Sequence, residues 1–372
     1  MTDPVRCIEF FCGIGGLHYA LNIAKIRANV VEAFDVNEIA NKVYLHNFKK
    51  NPSKKTIDRL TEKDIEKLDA GCWLVSPPCQ PYTRGGKMQD IEDPRAKALV
   101  HLIDLLPKLS TPPKYIFVEN VKNFEISQSR EKLVRQLDIM DYEINECLLT
   151  PEQLGVPNHR MRYYLTARRR SNPVTKEVSD YTEKSIIHTS WPFSGSNEMQ
   201  NDVPELGLFF ETLPRGEEKY QVPAKYILKL HGFRLDIVRS TDRITSCVTK
   251  AYGSHHIMTS GSLVQTKQMD ITEYDWNDPP SLVALGLRFL TPTEISRLHA
   301  FPVPGYQLRV PNAPYSKKEP RPFSPPTCMP HLDFPDSVTL NQRYKLLGNS
   351  LNCWVVAELL RCVLFEEDVI MS

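Results

Sequence analysis

Cys7-Ile8-Glu9-Phe10-Phe11-Cys12-Gly13-Ile14-Gly15-Gly16-Leu17-His18-Tyr19-Ala20-Leu21 sets an apolar run against a glycine-rich turn and then a helix-like stretch. Cys7 to Phe11 reads as a buried strand, and Leu17 to Ile26 has the apolar spacing of a helix. Glycines between them let the backbone approach a ligand closely and expose the amides that open the helix. A second apolar run, Val30 to Phe34, ends on Asp35, about 20 residues beyond the turn, where an acid can bind ribose hydroxyls. The dinucleotide fingerprint would need a third glycine where His18 stands. A nucleoside cofactor without a pyrophosphate fits better than NAD. A tight strand-to-helix turn with no ligand is the alternative for the glycines taken alone.

The same alternation continues outward. Trp73 to Val75, Tyr115 to Val118, Tyr142 to Leu149 and Tyr163 to Ala167 read as strands, and Glu38 to Asn47 and Ala96 to Leu106 as helices. Strands alternating with helices predict an α/β fold: a doubly wound, mostly parallel sheet that binds ligands at the carboxyl ends of its strands. From about residue 171 to 286 this rhythm is lost, with short β-like pieces at Arg243 to Val248 and Ser262 to Gln265. Three segments are expected: a catalytic and cofactor-binding domain over 1–170, a smaller irregular domain over 171–286, and a C-terminal segment over 287–372. Within the last, proline-dense residues 302–336 predict an ordered loop. Leu351 to Phe365 predicts a buried helix that returns to the large domain.

Lys and Arg total 46 and Asp and Glu 45 among 372 residues, for a net charge of +1. That balance argues against indiscriminate coating of nucleic acid, so a polyanion must be held by local basic surface. Lys49-Lys50 with Lys54-Lys55, and Arg168-Arg169-Arg170, are the candidates. Nine cysteines at irregular spacing, with no Cys-x-x-Cys and no His-Glu-x-x-His, signal neither a zinc site nor a redox pair. No signal peptide and no uncharged apolar run of 18 residues is present, so an intracellular location is expected, cytoplasmic and also nuclear.

Ser76-Pro77-Pro78-Cys79-Gln80-Pro81 follows the third strand, with prolines fixing the backbone on both sides of a cysteine. Such a frame suits a placed nucleophile, although its thiol, with an ordinary pKa near 8.5, needs nearby cations to ionise. Glu119-Asn120-Val121 ends the next strand, and partial burial there would let Glu119 donate a proton near neutral pH. Arg160 and Arg162 alternate on an incipient strand and so share one face, as a pair that stabilises anions and the thiolate. An exposed edge with two charges is the other reading of that pair.

These pieces, in this order, resemble the cytosine carbon-5 methyltransferase family. The matching segments are Phe11-Cys-Gly-Ile-Gly-Gly16, Pro77-Pro-Cys-Gln80, Glu119-Asn-Val121, Arg160-x-Arg162, Leu290-Thr-Pro-Thr-Glu294 with Phe301-Pro302, and Gln342-Arg-Tyr-Lys-Leu-Leu-Gly-Asn-Ser350. The resemblance implies an S-adenosylmethionine-dependent enzyme with a small target-recognition domain and no metal. Ile14, Gly15 and Gly16 would cradle the cofactor, Asp35 its ribose, and Ile57 and Asp58 its adenine. Ser76, Asn349, Ser350 and Leu351 would close the pocket. Cys79 would attack carbon 6 of cytosine while Glu119 protonates ring nitrogen 3, with Arg160 and Arg162 beside them.

Pro81-Tyr-Thr-Arg84, Leu154-Gly-Val-Pro-Asn158 and Cys247-Val-Thr-Lys-Ala-Tyr-Gly253 are similar to the small eukaryotic members that modify aspartate tRNA. The resemblance implies cytosine 38 of the anticodon loop as target, with a monomeric enzyme expected. Cys247, Thr249 and Lys250 are candidates for contacts near the target base. That group usually reads Cys-Phe-Thr where this chain has Val248 in the middle. A DNA cytosine methyltransferase and a non-catalytic nucleic-acid-binding homologue are the alternatives.

Overall fold

The computed structural model describes residues 3–82, 90–171, 186–191, 203–213, 217–306, 319–323, 330–366 and 369. Strands β1 (Val5–Phe10), β2 (Ala28–Phe34), β3 (Cys72–Val75), β4 (Tyr115–Val121), β5 (Tyr142–Leu149), β6 (Arg162–Arg169) and β7 (Ile187–His188) form one sheet. Their order is β2-β1-β3-β4-β6-β5-β7, and β6 alone among them runs against its neighbours. The fold is α/β and mostly parallel, as the alternation predicts. β7 comes from the segment read as the second domain, yet it pairs with β5 and extends the large sheet.

Period-two alternation along the strands fills two cores. Cys7, Leu74, Phe117 and Tyr164 point into one core, under α1 (Gly16–Ala24) and α2 (Glu38–Phe48). Ile8, Phe10, Trp73, Val75 and Val118 point into the other. That opposite face is covered by α3 (Glu62–Glu66), α4 (Lys97–Leu105) and α5 (Gln128–Ile139). Helix α5 was not foreseen: its buried stripe is short, Leu133, Val134 and Leu137, and the buried Arg130 beside it pairs with Glu146 at 2.5 Å.

The smaller part holds α6 (Ala224–Ile227), α7 (Pro279–Ala284) and a three-stranded sheet of β8 (Ile237–Val238), β9 (Leu263–Val264) and β10 (Arg288–Phe289). Strand β9 lies inside the predicted piece Ser262 to Gln265. Arg243 to Val248 is irregular rather than β. Its backbone is claimed by another loop, with the Thr245 amide donating to Pro157 O and the His159 amide to Thr245 O.

Helix α8 (Pro292–Leu298) is followed by α9 (Leu340–Gly348) and α10 (Cys353–Leu359), which continues as a π-helical turn, Leu360–Leu364. Every residue of α10 is buried, and it packs along α1. Buried Glu358 pairs with Arg321 at 2.7 Å and Arg361 at 2.8 Å, which ties the proline-dense stretch to this helix. Of that stretch, residues 307–318 and 324–329 lie outside the described residues, as do Thr83 and Arg84.

Candidate active site

The carboxyl ends of β1 to β4 open onto a cavity of about 460 Å³, within the size range of small-molecule sites. Phe11 to Ile14 follow β1, Asp35 follows β2, Ser76 to Gln80 follow β3, and Glu119 to Val121 end β4. Ile57 and Asp58 form one side, Arg160 and Arg162 enter at the start of β6, and Gly348 to Leu351 close the wall from the C-terminal segment.

The cysteine loop is pinned on both flanks. The Ser76 hydroxyl donates to Phe11 O at 3.1 Å, and the Asn120 side chain donates to Pro77 O at 3.4 Å. With proline on either side, Cys79 has little freedom left, and this half-buried residue lines the same cavity as Glu119.

The glycine turn has two jobs. Gly13 has φ +52, and a Cβ there would have no atom within 4 Å, so a side chain would project into the space it lines. Its amide donates to the Asp35 carboxylate at 2.8 Å, and the Asn37 amide does the same, which fixes that acid at the rim. Gly16 faces Leu351 so closely that an added Cβ would lie 2.9 Å from its Cγ. Helix α1 begins there, and its first turn is occupied from within the protein, the His18 amide donating to the buried Glu9 carboxylate at 3.3 Å. An open glycine cradle, a rim carboxylate and the buried apolar Ile57 fit a nucleoside with a charged tail. His18, where a third glycine would stand, stacks on Phe48 at 4.0 Å instead, and bonds Tyr44 at 2.9 Å.

Electrostatics separate the two thiols. Burial pushes the Cys79 thiol above its ordinary value; Arg162 and Arg160 draw it back, and the Glu119 carboxylate opposes ionisation. Burial also raises Glu119, against the pull of Arg162, whose Nε lies 3.5 Å from its Oε1. Cys247 goes the other way: burial raises it, but Arg160 and Arg162 outweigh burial and lower it. Its sulfur accepts from Arg160 at 3.0 Å and Arg162 at 3.6 Å.

Arg160 is buried and stitches two loops together. It donates to Val248 O at 2.9 Å, Gly348 O at 3.2 Å and Ser350 O. Gly348 is required by the same junction, since a Cβ there would run into the Thr249–Lys250 peptide. Val248 takes part through its carbonyl while its side chain is buried. Asn158 donates to Thr245 Oγ1 at 3.0 Å and holds the start of the same loop.

Thus Cys79, Glu119, Arg160, Arg162, Ile14, Gly16, Asp35, Ile57, Asp58, Ser76, Asn349, Ser350 and Leu351 share one cavity. Gly15 does not line it. Its amide donates to Cys12 O at 2.8 Å, and its left-handed φ of +86 lets Phe48 pack where a side chain would be. Cys247, Thr249 and Lys250 stand behind the wall, reaching it through Arg160 and Gly348.

The two basic clusters sit at different distances from the cavity, Lys55 lining it. Lys54 and Lys55 pair with Glu38 and Asp64 at 2.9 and 2.6 Å, and Lys50 donates to Val30 O. Arg168 is in register with Tyr115, the first residue of β4, so Arg168-Arg169-Arg170 lies at the far end of the sheet. Six to eight residues of extended strand from Arg162 put the cluster roughly 20–26 Å from the site.

Sequence reading missed Arg95. It lines the cavity, with its guanidinium on the buried Asp93 carboxylate at 2.6 and 2.8 Å. The Asp93-Pro94-Arg95 step before α4 is its one visible trace in the sequence.

A family model described as C-5 cytosine-specific DNA methylase matches residues 5–363. The tRNA (cytosine(38)-C(5))-methyltransferase of Mus musculus is 34% identical, covering 96% of this chain and 93% of that protein. The DNA (cytosine-5)-methyltransferase of Dictyostelium discoideum is also 34% identical, over 98% and 96%. The crystal structure of the S. pombe Dnmt2 methyltransferase matches at a TM-score of 0.74 and 30% identity, covering 96% of this chain and 98% of that one.

Proposed function

Because this chain belongs to the C-5 cytosine-specific DNA methylase family, we propose that it methylates carbon 5 of a cytosine in tRNA, namely cytosine 38 in the anticodon loop of aspartate tRNA. It is a methyltransferase of the S-adenosylmethionine-dependent α/β class. The observation that carries the proposal is the meeting of Cys79, Glu119 and Arg162 in the cavity that the glycine turn also lines. Gly13, Ile14, Asp35, Ile57 and Asp58 would hold S-adenosylmethionine, with Asn349, Ser350 and Leu351 closing over it. When bound, that cofactor supplies an electrophilic methyl group.

Cys79 acts as a thiolate and forms a bond from sulfur to carbon 6 of the cytosine. Glu119, whose hold on a proton is strengthened by burial, gives its proton to ring nitrogen 3, so the ring accepts the displaced electron pair as an enamine. Carbon 5 is then nucleophilic and takes the methyl group. Its proton leaves to solvent, the double bond re-forms, and the sulfur–carbon bond breaks to return the Cys79 thiolate. The nitrogen 3 proton goes back to Glu119. Arg162 holds the Glu119 carboxyl and favours the thiolate, and Arg160 fixes the wall on which the base leans.

RNA is favoured over DNA by the recognition part. Between residues 203 and 290, the described helices have four and six residues, too short to read a major groove. A loop cytosine is also cheaper to unstack than a paired one. We take the segment read as 171–286, less β7 and with β10 added, as the recognition domain, the rest as the catalytic one, and the enzyme as a monomer. The Dictyostelium relative named for DNA keeps a second reading in play. Transfer of labelled methyl groups to total tRNA and to genomic DNA separates the two: label in tRNA alone is expected, and label in DNA alone refutes the proposal.

A further inference from the structure

The loop that leaves the cavity wall ends in an exposed ring cluster with no role in the chemistry above. At Gly348 the Thr249–Lys250 peptide lies flat on α9, and one turn earlier Gly253, at φ +77, lets the loop pass over the Tyr344 ring. Those two supports are four residues apart on the helix, about 6 Å along its axis. His255 and His256 follow two and three residues later, so they stand within roughly 20 Å of the cavity wall. The turn is fixed: Ser254 Oγ donates to Ala251 O at 2.5 Å, and the His256 amide donates to Ser254 Oγ at 3.3 Å.

Both histidines are exposed, with ring centroids 4.0 Å apart, and the Tyr226 ring meets His255 edge-on at 6.4 Å. Lys225 lies over the Tyr226 ring at 5.7 Å, and Lys250 is exposed earlier in the same loop. Exposed flat rings flanked by cations, on a rigid loop, have the composition of a surface that binds unpaired nucleotides: bases stack on the rings while ammonium groups meet phosphates.

We propose that His255, His256 and Tyr226 form a stacking platform for an unpaired nucleotide of the RNA substrate next to the target cytosine, with Lys225 and Lys250 on the adjoining phosphates. The platform rests on the RNA assignment above and says how that RNA is gripped. It explains why a loop with no regular secondary structure is clamped so firmly to α9: a stack must sit at a fixed distance from Cys79.

The test uses the full-length enzyme and the anticodon stem-loop of aspartate tRNA. His255→Ala with His256→Ala should raise KM by roughly 5- to 100-fold, the range of one lost base stack. Turnover at saturating RNA should stay within about twofold and S-adenosylmethionine affinity unchanged. His255→Phe with His256→Phe should restore KM, which a purely structural or charge role would not allow. An abasic substitution at one loop position should weaken the wild type and erase its advantage over the alanine variant. An unchanged KM in the alanine variant, or equal losses for every abasic RNA, overturns the platform alone. A wild type that leaves the RNA unmethylated while modifying DNA overturns the RNA assignment as well.

Discussion

The two walls of the cavity are built by different means. One wall, carrying Gly13, Asp35, Cys79 and Glu119, hangs from the ends of β1 to β4, whose ladders and two buried cores set each position. The facing wall, Gly348 to Leu351 backed by Cys247 to Lys250, has almost no regular structure and is held by Arg160 donating to three carbonyls and a sulfur. The first wall positions reacting groups through the sheet. The second does so through one buried guanidinium whose partners lie 87 to 190 residues away in sequence.

The comparison breaks at different places on each wall. The largest effect is expected on the sheet side: Glu119→Gln removes the proton donor and should lower kcat by about 10²–10⁴, with cofactor affinity and melting temperature little changed. Calorimetry and single-turnover rates check this. If cofactor affinity fell in step with kcat, Glu119 would belong to the binding site instead.

On the loop side, Arg160→Lys keeps the charge but cannot reach all four acceptors. It should destabilise the protein by about 2–4 kcal/mol in urea unfolding, as several buried hydrogen bonds go unmade. It should also cost roughly tenfold to a hundredfold in kcat through misplacement alone. A variant with wild-type stability and low activity would move Arg160 from holding the wall to acting on the base. Gly348→Ala is the milder probe of that wall. Crowding the Thr249–Lys250 peptide should cost about 1–3 kcal/mol and raise KM for RNA more than it lowers kcat.

The same contrast shows what a sequence reveals. Alternating apolar runs and turn glycines are local signals, so β1 to β6, the cysteine loop and the glycine turn were legible. Helix α5 was not, because Arg130 is buried by pairing with Glu146 on β5, which no local pattern announces. Arg243 to Val248 reads as β-like from its Ile, Thr and Val, but its backbone partners belong to the Pro157 loop. That Gly15 also needs its left-handed φ to admit the Phe48 ring was not legible, since Phe48 lies 33 residues on. Which end of β6 carries Arg168-Arg169-Arg170 was not legible, because a basic run says nothing about the end of a strand it occupies.

A pH profile sharpens the account of the sheet wall by a smaller effect. Glu119 must be protonated and Cys79 ionised, and burial raises both above their ordinary values. A bell-shaped kcat/KM is therefore expected, rising through the Glu119 value and falling above that of Cys79, as the two act in opposite protonation states. Arg162 lowers both groups, so Arg162→Gln should shift both limbs to higher pH. A shift of either limb to lower pH would contradict the arrangement.

The central claim is that Cys79, framed by prolines and facing Glu119, bonds to carbon 6 of a tRNA cytosine, while Cys247, the more acidic thiol, does not. Aspartate tRNA carrying 5-fluorocytosine at position 38 tests this directly, since fluorine in place of the carbon 5 proton blocks release of the enzyme. With S-adenosylmethionine present, mass spectrometry of the digested complex should find the nucleotide on the peptide containing Cys79. Cys79→Ala should give no adduct, and Cys247→Ala should still give one. An adduct on Cys247, or one that survives Cys79→Ala, would contradict the account.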